Sequence, residues 1–111
     1  MLLDSNGEPD YSQGMSSMQP RRRLLVSTRR VVPLDRLDEY TAAWDSVQRV
    51  ARDSGARAWL FRARERQDHF IEFIEHSDAP GVLESAELRR ARASLEEQFG
   101  AGETEEWEGL S

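Results

Sequence analysis

The segment ARAWLFRARERQDHFIEFIEH (residues 56–76) decides the fold, because it contains two alternating apolar runs around a polar turn. Alternation with a period of two is typical of β-strands, so the segment predicts a hairpin that turns at Gln67 and Asp68. A two- or four-residue turn would place Trp59 opposite His76, and one face would collect Ala58, Leu60, Ile71 and Phe73. The other face would collect Trp59, Phe61, Phe70 and Ile74, whereas a three-residue turn would interchange the faces. Because neither face is purely polar, each needs a covering layer.

The segments before the hairpin predict a strand and then a helix. Residues 22–32 (RRLLVSTRRVV) predict a strand that ends before Pro33, because proline cannot continue a β-ladder. Asp35 is the expected N-cap of the helix, and Gly55 is the expected residue of left-handed conformation at its end. The apolar residues of this helix recur at intervals of three and four, at Leu37, Tyr40, Trp44, Val47 and Ala51.

The segments after the hairpin predict a second helix and a last strand. Residues 77–85 resemble a short capped helical turn, and Ser85 is the expected cap of a helix over residues 86–100. The run TEEWEGL (104–110) predicts the last strand. Residues 1–20 are polar and rich in Ser, Gly and Pro, so they predict a disordered tail before a single domain of residues 21–111.

The predicted order β-α-β-β-α-β is that of an α+β, ferredoxin-like fold, with two helices on one face of a four-stranded sheet. The chain offers no third layer to cover the second apolar face of the hairpin. We therefore expect a second copy of the chain to cover it, sheet against sheet, through a two-fold axis.

The composition narrows the chemistry. The 111 residues include no cysteine, which removes disulfides, thiolate nucleophiles and cysteine-ligated metals. All 15 basic residues are arginines, and the absence of lysine removes Schiff-base catalysis. A net charge of −6 gives no support for a nucleic-acid or membrane partner. The chain shows neither a membrane span nor a secretory-signal pattern, so we expect a cytoplasmic protein.

Seven residues are candidates for a functional site. His76 could act as a general acid or base beside Trp59, or be an ordinary histidine at the end of a strand. We expect no metal site, because Glu72 on the same face lies too far along the strand to share an ion with His76. Four aromatic residues could line a ligand cleft between helix and sheet or fill a plain core: Tyr40, Trp44, Trp59 and Phe61. Arg62 and Arg64 could bind a carboxylate or phosphate, or pair with acidic residues.

The order of elements, together with the run HFIEFIEHSDAPGVLESAELRR (69–90), resembles the dimeric α/β-barrel superfamily, in particular its antibiotic-biosynthesis-monooxygenase-like branch. The resemblance implies paired sheets and a ligand cleft between helix and sheet. Monooxygenases and haem degraders of this branch use an asparagine on the first strand, where this chain has Ser27 and Thr28. Haem degraders also use a tryptophan and a histidine near the second helix, and residues 79–95 contain neither.

Two hypotheses follow for the function. The first is a dimeric α/β-barrel protein that binds a small apolar or aromatic metabolite and lacks the oxygenase and haem-degrading residues. The alternative is a small monooxygenase-like enzyme that works without a cofactor in a cleft between helix 1 and the sheet. A dry cavity of a few hundred Å³ that reaches His76 would favour the enzyme, and a filled core would favour a non-catalytic module.

Overall fold

The computed structural model describes residues 22–77, 83 and 85–110. These residues form four strands and two α-helices, in the order β1 (Arg23–Val31), a 3-10 turn (Leu34–Arg36), α1 (Leu37–Asp53), β2 (Arg57–Arg62), β3 (His69–Ser77), α2 (Ala86–Phe99) and β4 (Glu103–Glu108). The strands form one antiparallel sheet in the order β2-β3-β1-β4. This is the predicted ferredoxin-like α+β arrangement. The predicted tail over residues 1–20 and most of the predicted turn at 77–85 lie outside the described residues.

Helix α1 packs on the sheet through the predicted apolar stripe. Tyr40, Trp44, Val47 and Ala51 are buried in the core, and the helix ends just before Gly55, whose φ is +88°. The prediction of Asp35 as N-cap is wrong, because no side chain caps α1. The chain instead enters the helix through the 3-10 turn, where the Arg36 amide donates to the Pro33 carbonyl over 2.9 Å. A backbone bond therefore replaces the expected side-chain cap.

Helix α2 begins and ends where the sequence predicts. The Ser85 hydroxyl accepts a hydrogen bond from the Leu88 amide at 3.2 Å, which confirms the predicted cap. Leu88 and Leu95 are buried against α1 and the sheet. Gly102 then lets β4 begin close to β1, because a Cβ at this position would overlap the carbonyl oxygen of Arg29.

The register of the β2–β3 hairpin differs from the prediction. Ala58 lies opposite Ile74, and Trp59 lies opposite Phe73 rather than His76. The connection spans residues 63–68, so the predicted loop length is wrong, although Gln67 and Asp68 do form a turn inside this loop. Gln67 and Asp68 lack the glycine that favours a tight two-residue turn. Hydrogen bonds from the Ala63 amide to the His69 carbonyl (2.9 Å) and from the His69 amide to the Arg66 carbonyl (3.0 Å) hold the longer loop.

The observed register defines two faces of the sheet. The inner face packs against the helices and carries Val26, Thr28, Arg30, Ala58, Leu60, Phe70, Glu72 and Ile74. The outer face carries Leu25, Ser27, Arg29, Val31, Trp59, Phe61, Ile71, Phe73 and Trp107. Both faces are rich in apolar side chains, as the sequence predicts, but the members of the two sets differ because the register is shifted.

Candidate functional site

A buried cluster of three polar side chains lies at the centre of the inner face. Arg30 on β1 donates to both carboxylate oxygens of Glu72 on β3, from Nε at 2.7 Å and from Nη2 at 3.2 Å. The Tyr40 hydroxyl on α1 donates to the same carboxylate over 2.5 Å. Arg30 is 7% exposed, Glu72 6% and Tyr40 0%, so the whole cluster is withdrawn from water.

Local structure explains how these three residues meet. Antiparallel pairing places Thr28 opposite Glu72, so Arg30 lies diagonally across from that carboxylate on the same face. Tyr40 is held by edge-to-face contacts with Phe70 and Phe99, whose ring centroids lie 5.0 and 5.2 Å away. A further hydrogen bond from the Arg30 guanidinium to the Gly100 carbonyl ties the cluster to the end of α2.

The electrostatics of the cluster keep the arginine charged and the phenol neutral. Burial alone lowers the pKa of Arg30, but the hydrogen bond and charge of Glu72 outweigh it, and the pKa lies above its usual value. Burial, and then the hydrogen bond to Glu72, raise the pKa of Tyr40 well above its usual value. The phenol therefore acts as a permanent hydrogen-bond donor.

Next to this cluster lies a cavity of about 330 Å³ between the inner face and the helices. Its wall is mixed, with apolar side chains from α1, α2 and the sheet and polar side chains from the sheet and α2. The described residues that line it are Val26, Thr28, Arg30, Trp44, Val47, Glu72, Ile74, Arg89, Arg92, Ala93, Leu95, Glu96 and Thr104. The indole Nε1 of Trp44 is buried and forms no hydrogen bond in the described part of the chain. This cavity, hereafter the inner cavity, has the size of a small-molecule site.

The structure brings together only some of the residues that the sequence nominates. Tyr40 and Trp44 lie between helix and sheet, as predicted, and Trp44 lines the inner cavity. The predicted placement of Trp59 and Phe61 in that space is wrong, because the observed register turns them to the outer face. Arg62 ends β2 on the inner side and Arg64 lies exposed in the following loop, so these two do not share the predicted face with Ile71 and Phe73.

His76 lies near the end of β3 on the inner side. Its strand neighbour is Leu24, not Trp59, and its Nδ1 lies 2.7 Å from the Ser77 carbonyl oxygen. His76 is not among the described residues that line the inner cavity. Within residues 22–77, 83 and 85–110, no group of three histidine or acidic side chains could hold a metal ion.

Ser27 and Thr28 face opposite sides of β1. Ser27 lies on the outer face and accepts a hydrogen bond from Trp107 Nε1 at 2.8 Å. Thr28 lies on the inner face, lines the inner cavity, and its hydroxyl is 3.1 Å from that of Thr104. The hydroxyls of Thr28 and Thr104 are therefore both candidates for contact with a ligand in the inner cavity.

Sequence reasoning missed the pairing of Arg30 with Glu72, which are 42 residues apart. A signal was present, because Glu72 alternates with Phe70 and Ile74 on what must be a buried face. A carboxylate in such a position needs a buried cation, and Arg30 alternates with Val26 in the same way. Tyr40, placed on the apolar stripe of α1, has a hydroxyl that also needs a partner.

No family model and no curated protein matches the sequence. Solved structures do match the fold. A proposed antibiotic biosynthesis monooxygenase from Bordetella bronchiseptica has a TM-score of 0.64 at 12% identity, with 82% of this chain and 100% of that one covered. A variant of SnoaB, a cofactor-independent oxygenase from Streptomyces nogalater, has a TM-score of 0.61 at 12% identity over 83% and 94%. Rv0793 from Mycobacterium tuberculosis has a TM-score of 0.64 at 16% identity over 80% and 96%.

These similarities confirm the predicted fold. The chain has the ferredoxin-like α+β architecture of the antibiotic-biosynthesis-monooxygenase-like proteins. Some of these structural relatives are named as oxygenases, whereas another is a conserved protein of unknown function from Bacteroides thetaiotaomicron. None of the described helices is long and apolar enough to cross a membrane.

Proposed function

We propose that the protein binds a small aromatic metabolite in the inner cavity, and that the ligand carries a hydrogen-bond acceptor such as a carbonyl oxygen. The observation that carries this proposal is a cavity of about 330 Å³ lined by Trp44, whose buried Nε1 forms no hydrogen bond in the described part of the chain. Leaving a buried donor unsatisfied costs about 1–3 kcal/mol. A ligand that accepts this hydrogen bond would recover that energy on binding.

The wall of the cavity supports the same class of ligand. Val26, Val47 and Ile74 offer apolar contact for a flat ring system. The Arg30–Glu72 pair supplies a polar part of the wall whose two charges offset one another, and Arg89 and Arg92 add donors for the oxygen of a carbonyl group. An aromatic molecule with one or two carbonyl groups suits both the apolar and the polar parts of the wall.

Binding of 1,4-naphthoquinone, followed by isothermal titration calorimetry, tests this proposal. The chain has no cysteine or lysine, the side chains that couple most readily to a quinone, and mass spectrometry of the titrated protein checks that no covalent adduct has formed. Val47→Phe fills the inner cavity and should weaken binding by at least about tenfold. Val50→Phe makes the same change on α1 at a residue that does not line the cavity, and it should stay within about threefold of the wild type.

Trp44→Phe provides a second, gentler variant. It keeps the aromatic packing but removes the free N–H, so it should weaken naphthoquinone binding about five- to tenfold. Unchanged affinity in both Val47→Phe and Trp44→Phe, with both variants folded by circular dichroism, would place the ligand elsewhere and refute the proposal.

A second candidate is a monooxygenase-like enzyme that works without a cofactor in the same space. It is favoured by the structural similarity to SnoaB, and by the carboxylate of Glu72 at the cavity wall. The test substrate is 1-naphthol, which would react with O₂ to give 1,4-naphthoquinone and water, the substrate itself supplying the electrons. Oxygen uptake that requires protein and disappears in Val47→Phe would establish this activity.

A general acid or base role of His76 stays a prediction, and His76→Ala in the same assay tests it.

We also propose that the protein is a homodimer in which the outer faces of two sheets pack together. Large apolar side chains are exposed on this face: Trp59 at 36%, Trp107 at 48%, Val31 at 54% and Phe61 at 55%. Isolated apolar residues are common on protein surfaces, but a contiguous set of aromatic residues is typical of an interface. Arg29 and Arg57 share the face with Glu103 and Glu105, so a two-fold-related copy offers complementary charges.

A further inference from the structure

We propose that the protein has a second ligand site, which binds an organic anion with an apolar body, at the end of the sheet where β1 and β2 finish and β3 begins. An open cleft of about 710 Å³ lies there. Its cationic side is formed by Arg29, Arg62 and Arg66, with His69 beside them, and we call it the arginine cleft. Among the described residues that line it, Glu103 is the only carboxylate.

The arginines of this cleft are free to bind an anion. Neither Arg62 nor Arg66 forms an ion pair or a side-chain hydrogen bond with another described residue. Arg29 has a distant partner in Glu105, at 3.5 Å, and both side chains are more than half exposed, so that pair is weak. The chain has a net charge of −6, so the cleft concentrates positive charge on a protein that is acidic as a whole.

The cleft also has an apolar side. Phe61 and Val31 are more than half exposed at its rim, and Phe70 and Phe99 lie in its wall. The Phe61 ring is held by an edge-to-face contact with Phe73, with ring centroids 5.7 Å apart. Guanidinium groups beside an exposed aromatic ring suit a ligand that has both a flat apolar part and a carboxylate, phosphate or sulfate group.

The backbone around these arginines is fixed even though their side chains are unpaired. The loop at residues 63–68 is closed by the bond between the His69 amide and the Arg66 carbonyl, and the Ala63 amide bonds to the His69 carbonyl. A ligand would therefore order side chains but not the loop, which lowers the entropic cost of binding.

The arginine cleft is distinct from the inner cavity. The two share Arg30, whose guanidinium is already committed to Glu72 and to the Gly100 carbonyl and so forms a partition between them. Phe61 and Ile71 belong to the outer face as well, so in the proposed dimer the cleft would lie at the edge of the interface. The two sites can accordingly be tested separately.

The test is calorimetric titration with phenyl phosphate, with inorganic phosphate as the comparison for the contribution of the apolar part. Arg62→Ala combined with Arg66→Ala should weaken phenyl phosphate binding by at least about tenfold, because both unpaired guanidinium groups are removed. Arg64→Ala is the matched control, since Arg64 is exposed in the same loop and does not line the cleft. It should change the affinity by less than about twofold.

The outcomes separate this proposal from the others. Equal losses in Arg64→Ala and in the double variant would show a diffuse charge effect and overturn the site. Equal affinities for phenyl phosphate and inorganic phosphate would overturn the apolar half of the proposal. No detectable binding at about 10 mM phenyl phosphate would overturn the whole proposal, because the binding free energy would then be less than about 3 kcal/mol. Val47→Phe, which fills the inner cavity, should leave phenyl phosphate binding unchanged, so the two sites can succeed or fail independently.

Discussion

Tyr40 and Glu72 are joined by a hydrogen bond of 2.5 Å that links helix α1 to strand β3 inside the protein. The same carboxylate holds Arg30 from β1, so one side chain connects three elements of the fold. Because all three groups are buried, removing the Glu72 carboxylate leaves Tyr40 without its acceptor and Arg30 without its counter-charge, with little access to water. The free energy of unfolding therefore reports on this cluster more directly than ligand binding does.

We predict that stability falls at alkaline pH because of Tyr40. Its pKa is raised in the folded state, so the unfolded chain loses the phenolic proton first, above a pH of about 10, while the folded chain keeps it. The stabilisation is therefore fully present below that pH and is lost above it, by up to about 1.4 kcal/mol per pH unit. The chain has no lysine or cysteine to titrate in this range, so the effect can be isolated.

Urea unfolding between pH 8 and about 11.5 measures this effect, and Tyr40→Phe should give a flatter dependence on pH. The matched control is Tyr11→Phe, at the only other tyrosine, which lies in the segment predicted to be disordered. Parallel pH profiles for wild type and Tyr40→Phe would show that the Tyr40 phenol titrates alike in both states.

We predict a large difference between two identical Glu→Gln substitutions. Glu72→Gln leaves the Arg30 charge buried without a counter-charge and should lower the free energy of unfolding by about 3–5 kcal/mol. Glu105→Gln breaks an exposed pair with Arg29 and should cost less than about 1 kcal/mol. Urea unfolding at pH 7 compares the two variants. Similar losses in the free energy of unfolding would mean that the buried pair stabilises the fold no more than the exposed pair does.

Replacing both partners of the buried pair checks this interpretation. The double change Arg30→Met and Glu72→Leu removes both charges, so it should recover much of the stability lost in Glu72→Gln. Tyr40 would then lose its acceptor, and adding Tyr40→Phe should recover more. A double variant less stable than Glu72→Gln would contradict the view that the unpaired charge of Arg30 dominates the loss.

The sequence predicted helices better than it predicted strand pairing, for a physical reason. A helix is set by neighbours in the chain, so the stripe from Tyr40 to Ala51 and the glycine at residue 55 identified α1 directly. The register of a hairpin depends on where the loop closes, and the charged run at 63–68 contains no glycine to mark that place. A wrong loop length then moved Trp59 and Phe61 to the wrong face.

The candidate site depended on that register and on contacts far apart in the chain. Trp44 was predicted from the helix stripe alone, and it does line the inner cavity. The arginine cleft could not be predicted without the tertiary structure, because residues from the ends of four strands line it. It also contains Arg66, rather than the predicted Arg64, together with Arg62. Alternation along a strand shows which residues share a face, but not which residues of another strand lie beside them.

We predict that a charge on the outer face breaks the proposed dimer, whereas a charge on an equally exposed apolar residue elsewhere does not. Phe61→Glu would place a carboxylate among the aromatic side chains of the outer face and should raise the dimer dissociation constant by at least about tenfold. Leu34→Glu is the matched control, because Leu34 is 53% exposed, close to the 55% of Phe61, but lies in the 3-10 turn and not on a strand of the sheet. Sedimentation velocity over a range of concentrations measures both. Two results would show that a second copy does not cover the exposed aromatic residues of the outer face. One is a wild-type protein that sediments as a folded monomer at micromolar concentration. The other is a dimer that Leu34→Glu disrupts as strongly as Phe61→Glu does.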